Sequence, residues 1–172
     1  MKAGVIRIMR INKYIASSGL CSRRKAEEYI ENGQVRINGH VAELTSTVEE
    51  GDTVTLNGKK IETKKERIVL LFNKPVGVTC TTETKVKDNI ISYINYPERI
   101  FPIGRLDKDS QGLILLTNDG DLVNECLRVE NGHEKEYIVK STKEWTEEVV
   151  EELRGGMYLE ELKMTTRPCR VE

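Results

Sequence analysis

The spacing of hydrophobic positions changes several times along this chain, and each change marks out an element. Ile11, Tyr14 and Ile15 recur at i, i+3 and i+4, which predicts a short amphipathic helix over residues 10–18, ended by Gly19. Ala26, Tyr29 and Ile30 form the inner stripe of a second helix, with Ser22 as its N-cap and Asn32-Gly33 as its stop. Beyond Gly33 the period falls to two. Val35, Ile37 and Val41 flank Asn38-Gly39, and Val54 and Leu56 precede Asn57-Gly58. Asn-Gly beside alternating apolar residues predicts a tight hairpin. Residues 9–58 therefore read as two helices followed by a small set of strands.

Residues 59–67 hold one apolar residue among lysines, glutamates and an arginine, and read as a linker. The body over residues 68–172 opens on a continuous apolar run at 68–72, the pattern of a buried strand. A turn with Pro75 and Gly77 follows, then a short helix that Asp88 can cap, with Ile90, Ile91 and Ile94 facing inward. Residues 112–117 form a second buried strand closed by a turn at 118–120, and 133–139 read as another strand. Thr146 starts a helix with Glu147 and Glu148 in its favourable first turn, and Gly155-Gly156 ends it. No regular strand–helix–strand alternation appears, so the fold class is α+β with a mixed or antiparallel sheet.

Composition leaves this picture intact. The 172 residues are 38% hydrophobic and 32% charged, as in ordinary globular proteins, and suffice for a small domain followed by a medium one. No apolar run approaches the ~20 residues of a membrane helix. Residues 1–9 carry Lys2 and Arg7 without the apolar core of a secretion signal, so the expected location is the cytoplasm. Cys21, Cys80, Cys126 and Cys169 are more than 40 residues apart from neighbour to neighbour, and only His40 and His133 supply imidazoles. That spacing excludes a structural zinc site and leaves four reduced thiols as the expectation.

Charge distribution adds more. Residues 1–25 contain seven basic residues and no acid. Residues 1–64 hold 11 basic against 8 acidic residues, net +3, and the remainder 16 against 20, net −4. A basic head on an acidic body points to a polyanion docking at one end. Arg23-Arg24-Lys25 also sits at a helix start, where cations oppose the helix dipole, a local cost that suggests a use in binding.

The loop Gly104-Arg-Leu-Asp-Lys-Asp-Ser-Gln-Gly112 leads into the second strand and is the candidate for chemistry. A calcium loop fails because the twelfth position is Asn118 rather than a bidentate Glu. A phosphate cradle fails because its two glycines are eight residues apart and no Gly-Lys-Ser follows. Asp107 as nucleophile or base remains, with Arg105 and Asp109 nearby. Spacing alone does not separate that reading from a charge-rich surface turn.

Longer motifs do. Residues 10–16, the run Gly19-Leu-Cys-Ser-Arg-Arg-Lys-Ala-Glu27, Val35-Arg-Ile-Asn-Gly39 and Val48-Glu-Glu-Gly-Asp52 together resemble the S4-type RNA-binding domain. The stretch from Pro102 through Gly104-Arg-Leu-Asp107 to Leu122 resembles the signature of the RsuA/RluB/RluE/RluF family of ribosomal RNA pseudouridine synthases. Asn73-Lys-Pro-Val-Gly77 and Lys135-Glu-Tyr137 match two further motifs in order, and residues 132–137 are most similar to the RluF branch. The resemblance implies an S4-type domain at 9–58 and a synthase domain at 68–172. It implies isomerisation of a uridine in large-subunit, 23S ribosomal RNA, with transfer RNA as a second candidate, no cofactor, no metal and no membrane partner.

In that family the aspartate of Gly-Arg-Leu-Asp is catalytic, which here is Asp107, attacking either the base or the sugar carbon. By the same resemblance Tyr137 stacks on the flipped uracil, and Arg105 pairs with Asp107 or helps occupy the vacated stack. Asp107 is then expected out of solvent. Arg10, Lys13, Arg23, Arg24, Lys25 and Arg36 would line the RNA backbone. Only 65 residues follow Asp107, and the family's Asn-Arg-Gln-Ile-Arg-Arg-Met-like motif and last strands find no match. A domain lacking its C-terminal part is expected, with an open sheet edge that invites dimerisation. The competing reading is a non-catalytic RNA-binding protein that uses the N-terminal module alone.

Overall fold

Ile11 and Ile15 from one helix, Ala26 and Ile30 from the next, and Val35, Val48 and Val54 from the strands meet in one cluster with Ile61. The computed structural model describes residues 8–63 and 66–172; the basic residues Lys2 and Arg7 and the linker residues Lys64 and Lys65 lie outside them. Met9–Arg10 (β1) runs into Ile11–Ser17 (α1), followed by Arg23–Glu31 (α2). Ser22 caps α2 by accepting the Lys25 backbone N–H at 3.1 Å, as its position predicts. Then come Val35–Ile37 (β2), His40–Val41 (β3), Thr47–Val48 (β4), Val54–Leu56 (β5) and Lys59–Lys60 (β6). Four of these form an antiparallel sheet in the order β3-β2-β5-β6, while β1 pairs with β4. Asn38-Gly39 and Asn57-Gly58 all have positive φ, the geometry that a two-residue hairpin of matching twist requires.

The second hairpin corrects the expected linker. The turn at Asn57-Gly58 folds Lys59 back opposite Leu56, and Ile61 is buried at the edge of the core. Two exposed lysines carry no strand signal of their own. They are strand because the turn delivers their backbone to β5.

Val69–Lys74 (β7), Ile90–Ile94 (α3), Phe101–Ile103 (β8), Gly112–Thr117 (β9) and Gly120–Leu127 (α4) build around a second cluster of Val78, Cys80, Ile90, Ile100, Ile114 and Leu116. Their sheet is antiparallel in the order β7-β9-β8, with Leu115 between Leu71 and Ile103. Pro102 lies on the edge strand β8, where its missing N–H breaks no ladder. Asn89, not Asp88, caps α3 by accepting the Ser92 N–H at 2.8 Å. The turn expected at 118–120 opens a helix instead, with Asp119 accepting the Asp121 N–H.

Both strands expected to be buried are covered on one face only. Leu116 is fully buried, whereas Leu71 is 73% and Leu113 66% exposed. An unbroken apolar run records that both faces are apolar, not that both are covered.

The chain divides into two compact units, Met1–His133 and Glu134–Glu172. The second contains Glu147–Gly155 (α5), Tyr158–Leu159 (β10) and Met164–Thr165 (β11), the last two paired antiparallel. Thr146 caps α5 and Gly156 follows it with φ +93°, as predicted. The strand expected at 133–139 does not form. Among the described residues nothing pairs with it, and a strand exists only through its partner's hydrogen bonds. Among the described residues, no helix is long and apolar enough to cross a membrane.

Candidate active site and nucleic-acid interface

The loop that carries Asp107 begins with Gly104, whose φ of +81° turns the chain away from β8. A Cβ at Gly104 would meet Leu127 of α4 at 3.4 Å, so the turn is packed as well as bent. Leu106 packs against the second core and donates its backbone N–H to the Cys80 sulfur. The Ser110 N–H bonds the Asp107 carbonyl at 3.1 Å, closing a turn over Lys108 and Asp109.

Lys108 is tied twice. Its carbonyl accepts the Gly77 N–H at 2.8 Å and the Lys74 ammonium at 3.4 Å, and its own ammonium pairs with Asp88 at 2.5 Å. That contact holds the Asp88 carboxyl below its usual pKa and the Lys108 ammonium above its own.

Lys74 is the residue that sequence reasoning passed over. It is fully buried at the end of β7, and its ammonium also donates to the carbonyls of Pro75 at 2.9 Å and Val78 at 2.8 Å. A buried cation persists only when hydrogen bonded. Here three carbonyls supply the bonds, and one belongs to the residue after Asp107. The signal was its place inside Asn73-Lys-Pro-Val-Gly77, read as a turn and a family motif with no role given to the lysine.

The expectation that Asp107 lies out of solvent is corrected: its side chain is exposed. Among the described residues no hydrogen bond or ion pair reaches its carboxylate, and Arg105, also exposed, does not pair with it. Burying an unpartnered carboxylate costs several kcal/mol, so water is its resting partner here. Tyr137 belongs to the second unit and is 63% exposed. The site in this chain is thus a fixed backbone that presents a solvated carboxylate. Among the described residues, no group of three or more metal-ligating side chains occurs.

The basic candidates fall into two sets. Arg10, at the start of α1, and Arg24, in the first turn of α2, are exposed. Arg36 is exposed on β2 and donates to the Gly39 carbonyl at 2.9 Å. Lys25 pairs with Glu28 one turn on and lies over the Tyr29 ring, and the Glu28 hydrogen bond raises its pKa.

Lys13 and Arg23 instead face α4. Lys13 pairs with Asp121 at 2.6 Å, and an Arg23 nitrogen would sit 3.4 Å from a Cβ at Gly120. They line a groove of about 800 Å³ with Arg67 and Arg99, two cations not singled out from the sequence. Arg67 pairs with Asp119 at 2.8 Å, and half-buried Arg99 stacks on Phe101. Burial lowers the Arg99 pKa, with Cys21 opposing the shift.

Comparison with known proteins identifies both parts of the chain. Residues 68–166 match the family model for RNA pseudouridylate synthase, and residues 9–54 match that of the S4 domain. The chain is 49% identical to the dual-specificity RNA pseudouridine synthase RluF of Escherichia coli (strain K12), over 95% of this chain and 57% of that protein. It is 39% identical to the ribosomal large subunit pseudouridine synthase B of Bacillus subtilis (strain 168), over 95% of this chain and 67% of that one. The chain therefore spans little more than half the length of the RluF relatives. A solved structure of a pseudouridylate synthase superposes with a TM-score of 0.58 at 27% identity, covering 93% of this chain and 70% of that one.

Proposed function

The chain belongs to the RNA pseudouridylate synthase family, and on that premise we propose that it isomerises a uridine of ribosomal RNA to pseudouridine with Asp107 as nucleophile. The observation that carries the proposal is the mounting of Asp107. Its neighbours are anchored by Cys80, Gly77, Lys74 and Asp88, yet its carboxylate is left uncommitted. A group held by its backbone and partnered only by water can bond to a substrate without first breaking a protein contact.

The reaction breaks the bond between uracil nitrogen and ribose, turns the base, and rejoins it through carbon; that carbon loses one proton and the freed nitrogen gains one. Oxidation state is unchanged, so the chemistry calls for no redox cofactor. Asp107 serves by attack on the base or on the sugar carbon. The base must first leave its stack, at a cost of a few kcal/mol. In this reading Tyr137 stacks on the everted uracil, Arg105 fills the space it leaves, and the flipped base supplies the cover that Asp107 lacks. Arg10, Lys13, Arg23, Arg24, Lys25 and Arg36 of the S4-type domain, proposed at 9–58, hold the RNA backbone, and residues 68–172 form the synthase domain. Large-subunit ribosomal RNA is the proposed substrate, with transfer RNA as the second, and action in the cytoplasm follows from such substrates. Self-association through the open edge of β7 is a further proposal, tested by molecular mass in solution.

The test is conversion of uridine to pseudouridine in ribosomal and transfer RNA by the full chain and by Asp107→Asn. The reading requires loss of conversion in the variant with RNA binding retained. Conversion by the variant at the normal rate would overturn the assignment of Asp107. A second reading, RNA binding without catalysis, is favoured by the exposure of Asp107. It predicts salt-sensitive binding, lost when Arg23, Arg24 and Lys25 are neutralised, with no modified base and no adduct on RNA containing 5-fluorouridine.

A further inference from the structure

One cation of the proposed RNA-binding set is already paired with a carboxylate of α4. Lys13 pairs with Asp121 in the first turn of α4, with 33% of the lysine and 47% of the aspartate side chain exposed. Arg23 lies against Gly120, one residue earlier. Lys13 and Arg23 belong to helices packed in the first core, whereas α4 follows the sheet of the second. The contact therefore joins the RNA-binding module to the body.

The groove around this contact does not suit a phosphate chain as it stands. Its cations are Lys13, Arg23, Arg67 and Arg99. Against them stand Glu49, Glu50, Glu66, Asp119 and Asp121, so among the described residues the lining holds five carboxylates to four cations. An incoming polyanion meets Lys13 and Arg67 already paired with carboxylates, and further carboxylates beside them. RNA takes Lys13 only if Asp121 releases it.

We propose that Asp121 occupies Lys13 as a surrogate for an RNA phosphate, forming a latch that RNA must open before the module grips its backbone. The proposal rests on the reading of residues 9–58 as an RNA-binding domain. A carboxylate and a phosphate diester are both anionic oxygen acceptors for an ammonium, so they exchange without stranding either charge. The exchange is favourable because RNA offers many phosphates and releases their counterions, whereas the Lys13–Asp121 contact is half-exposed.

The test is the affinity of the full chain for a ribosomal RNA hairpin, by fluorescence anisotropy at low salt. Asp121→Asn should tighten binding about two- to fivefold, the range of one exposed pair. In a Lys13→Gln background the same change should add nothing. Glu49→Gln is the control for charge alone, since Glu49 lines the groove without an ion pair among the described residues.

Tighter binding by Asp121→Asn only when Lys13 is present supports the latch. An equal gain in the Lys13→Gln background, an equal gain from Glu49→Gln, or no gain at all overturns it. Arg24→Gln with Lys25→Gln separates this failure from that of the underlying reading. If that pair leaves affinity unchanged, the module is not the RNA-binding element and the reading falls with the latch. If it weakens binding while Asp121→Asn is silent, the latch alone falls.

Discussion

The N-terminal module and the unit from Glu134 onward each contain a capped helix and short antiparallel strands. They differ in what those elements close on. The module buries ten hydrophobic side chains in one cluster, whereas no residue from 134 to 172 is buried. The later unit is not poor in apolar residues: Tyr137, Ile138, Trp145, Tyr158, Leu162 and Met164 are all large and exposed. Caps and turns set where elements begin and end, while stability comes from apolar area removed from water, roughly 25 cal/mol per Å². The middle of the chain lies between these cases, with one sheet face covered and the other bare.

The contrast is sharpest in the module core. Ile15→Ala should cost about 2–5 kcal/mol in denaturant unfolding, since it leaves a cavity in a closed cluster. A much smaller loss would mean that the cluster is loosely packed. Lys74→Met should come next, at about 1–3 kcal/mol, because it leaves the carbonyls of Pro75 and Val78 without their donor. It should also speed hydrogen exchange around residues 106–110, and unchanged exchange there would remove Lys74 from the support of Asp107.

The two helix caps give a smaller and more diagnostic pair. Ser22→Ala and Thr146→Ala each remove a cap worth about 1 kcal/mol. The first should lower the midpoint of global unfolding, and the second should only fray α5, visible in local exchange. Ile138→Ala, at a side chain 91% exposed, should change stability by less than about 0.5 kcal/mol. A larger loss would reveal burial of that segment in solution.

The smallest effect expected is that of acid on the Asp88–Lys108 tie. The folded-state pKa of Asp88 is lowered, chiefly by the Lys108 hydrogen bond, so the tie is complete above the ordinary aspartate value. It is lost as pH falls through the lowered one. The Lys108 amide signal should therefore stay constant across neutral pH and move only in strong acid.

Much of the fold was legible because it rests on local rules. Ser22, Asn38-Gly39, Asn57-Gly58, Thr146 and Gly156 declare a cap, two hairpins and a helix with its end, and the chain obeys each of them. The family motif around Asp107 was legible in the same way. What failed depended on a distant partner. Lys59–Lys60 became strand through β5, residues 133–139 stayed irregular for want of a neighbouring strand, and the apolar runs of β7 and β9 were half covered. Asn89 displaced Asp88 as the cap of α3, which left Asp88 to hold Lys108.

By itself, then, the sequence determined the periodic elements, the α+β class, the family and the residue that carries the proposed chemistry, because each is written in residues adjacent along the chain. Tertiary structure alone decided that Asp107 is solvated on a pinned loop, that buried Lys74 helps pin it, and that Lys13 is held by Asp121 across 108 positions of sequence. Solvation and charge pairing depend on what lies within a few ångströms in space, and no spacing rule along a chain encodes that neighbour.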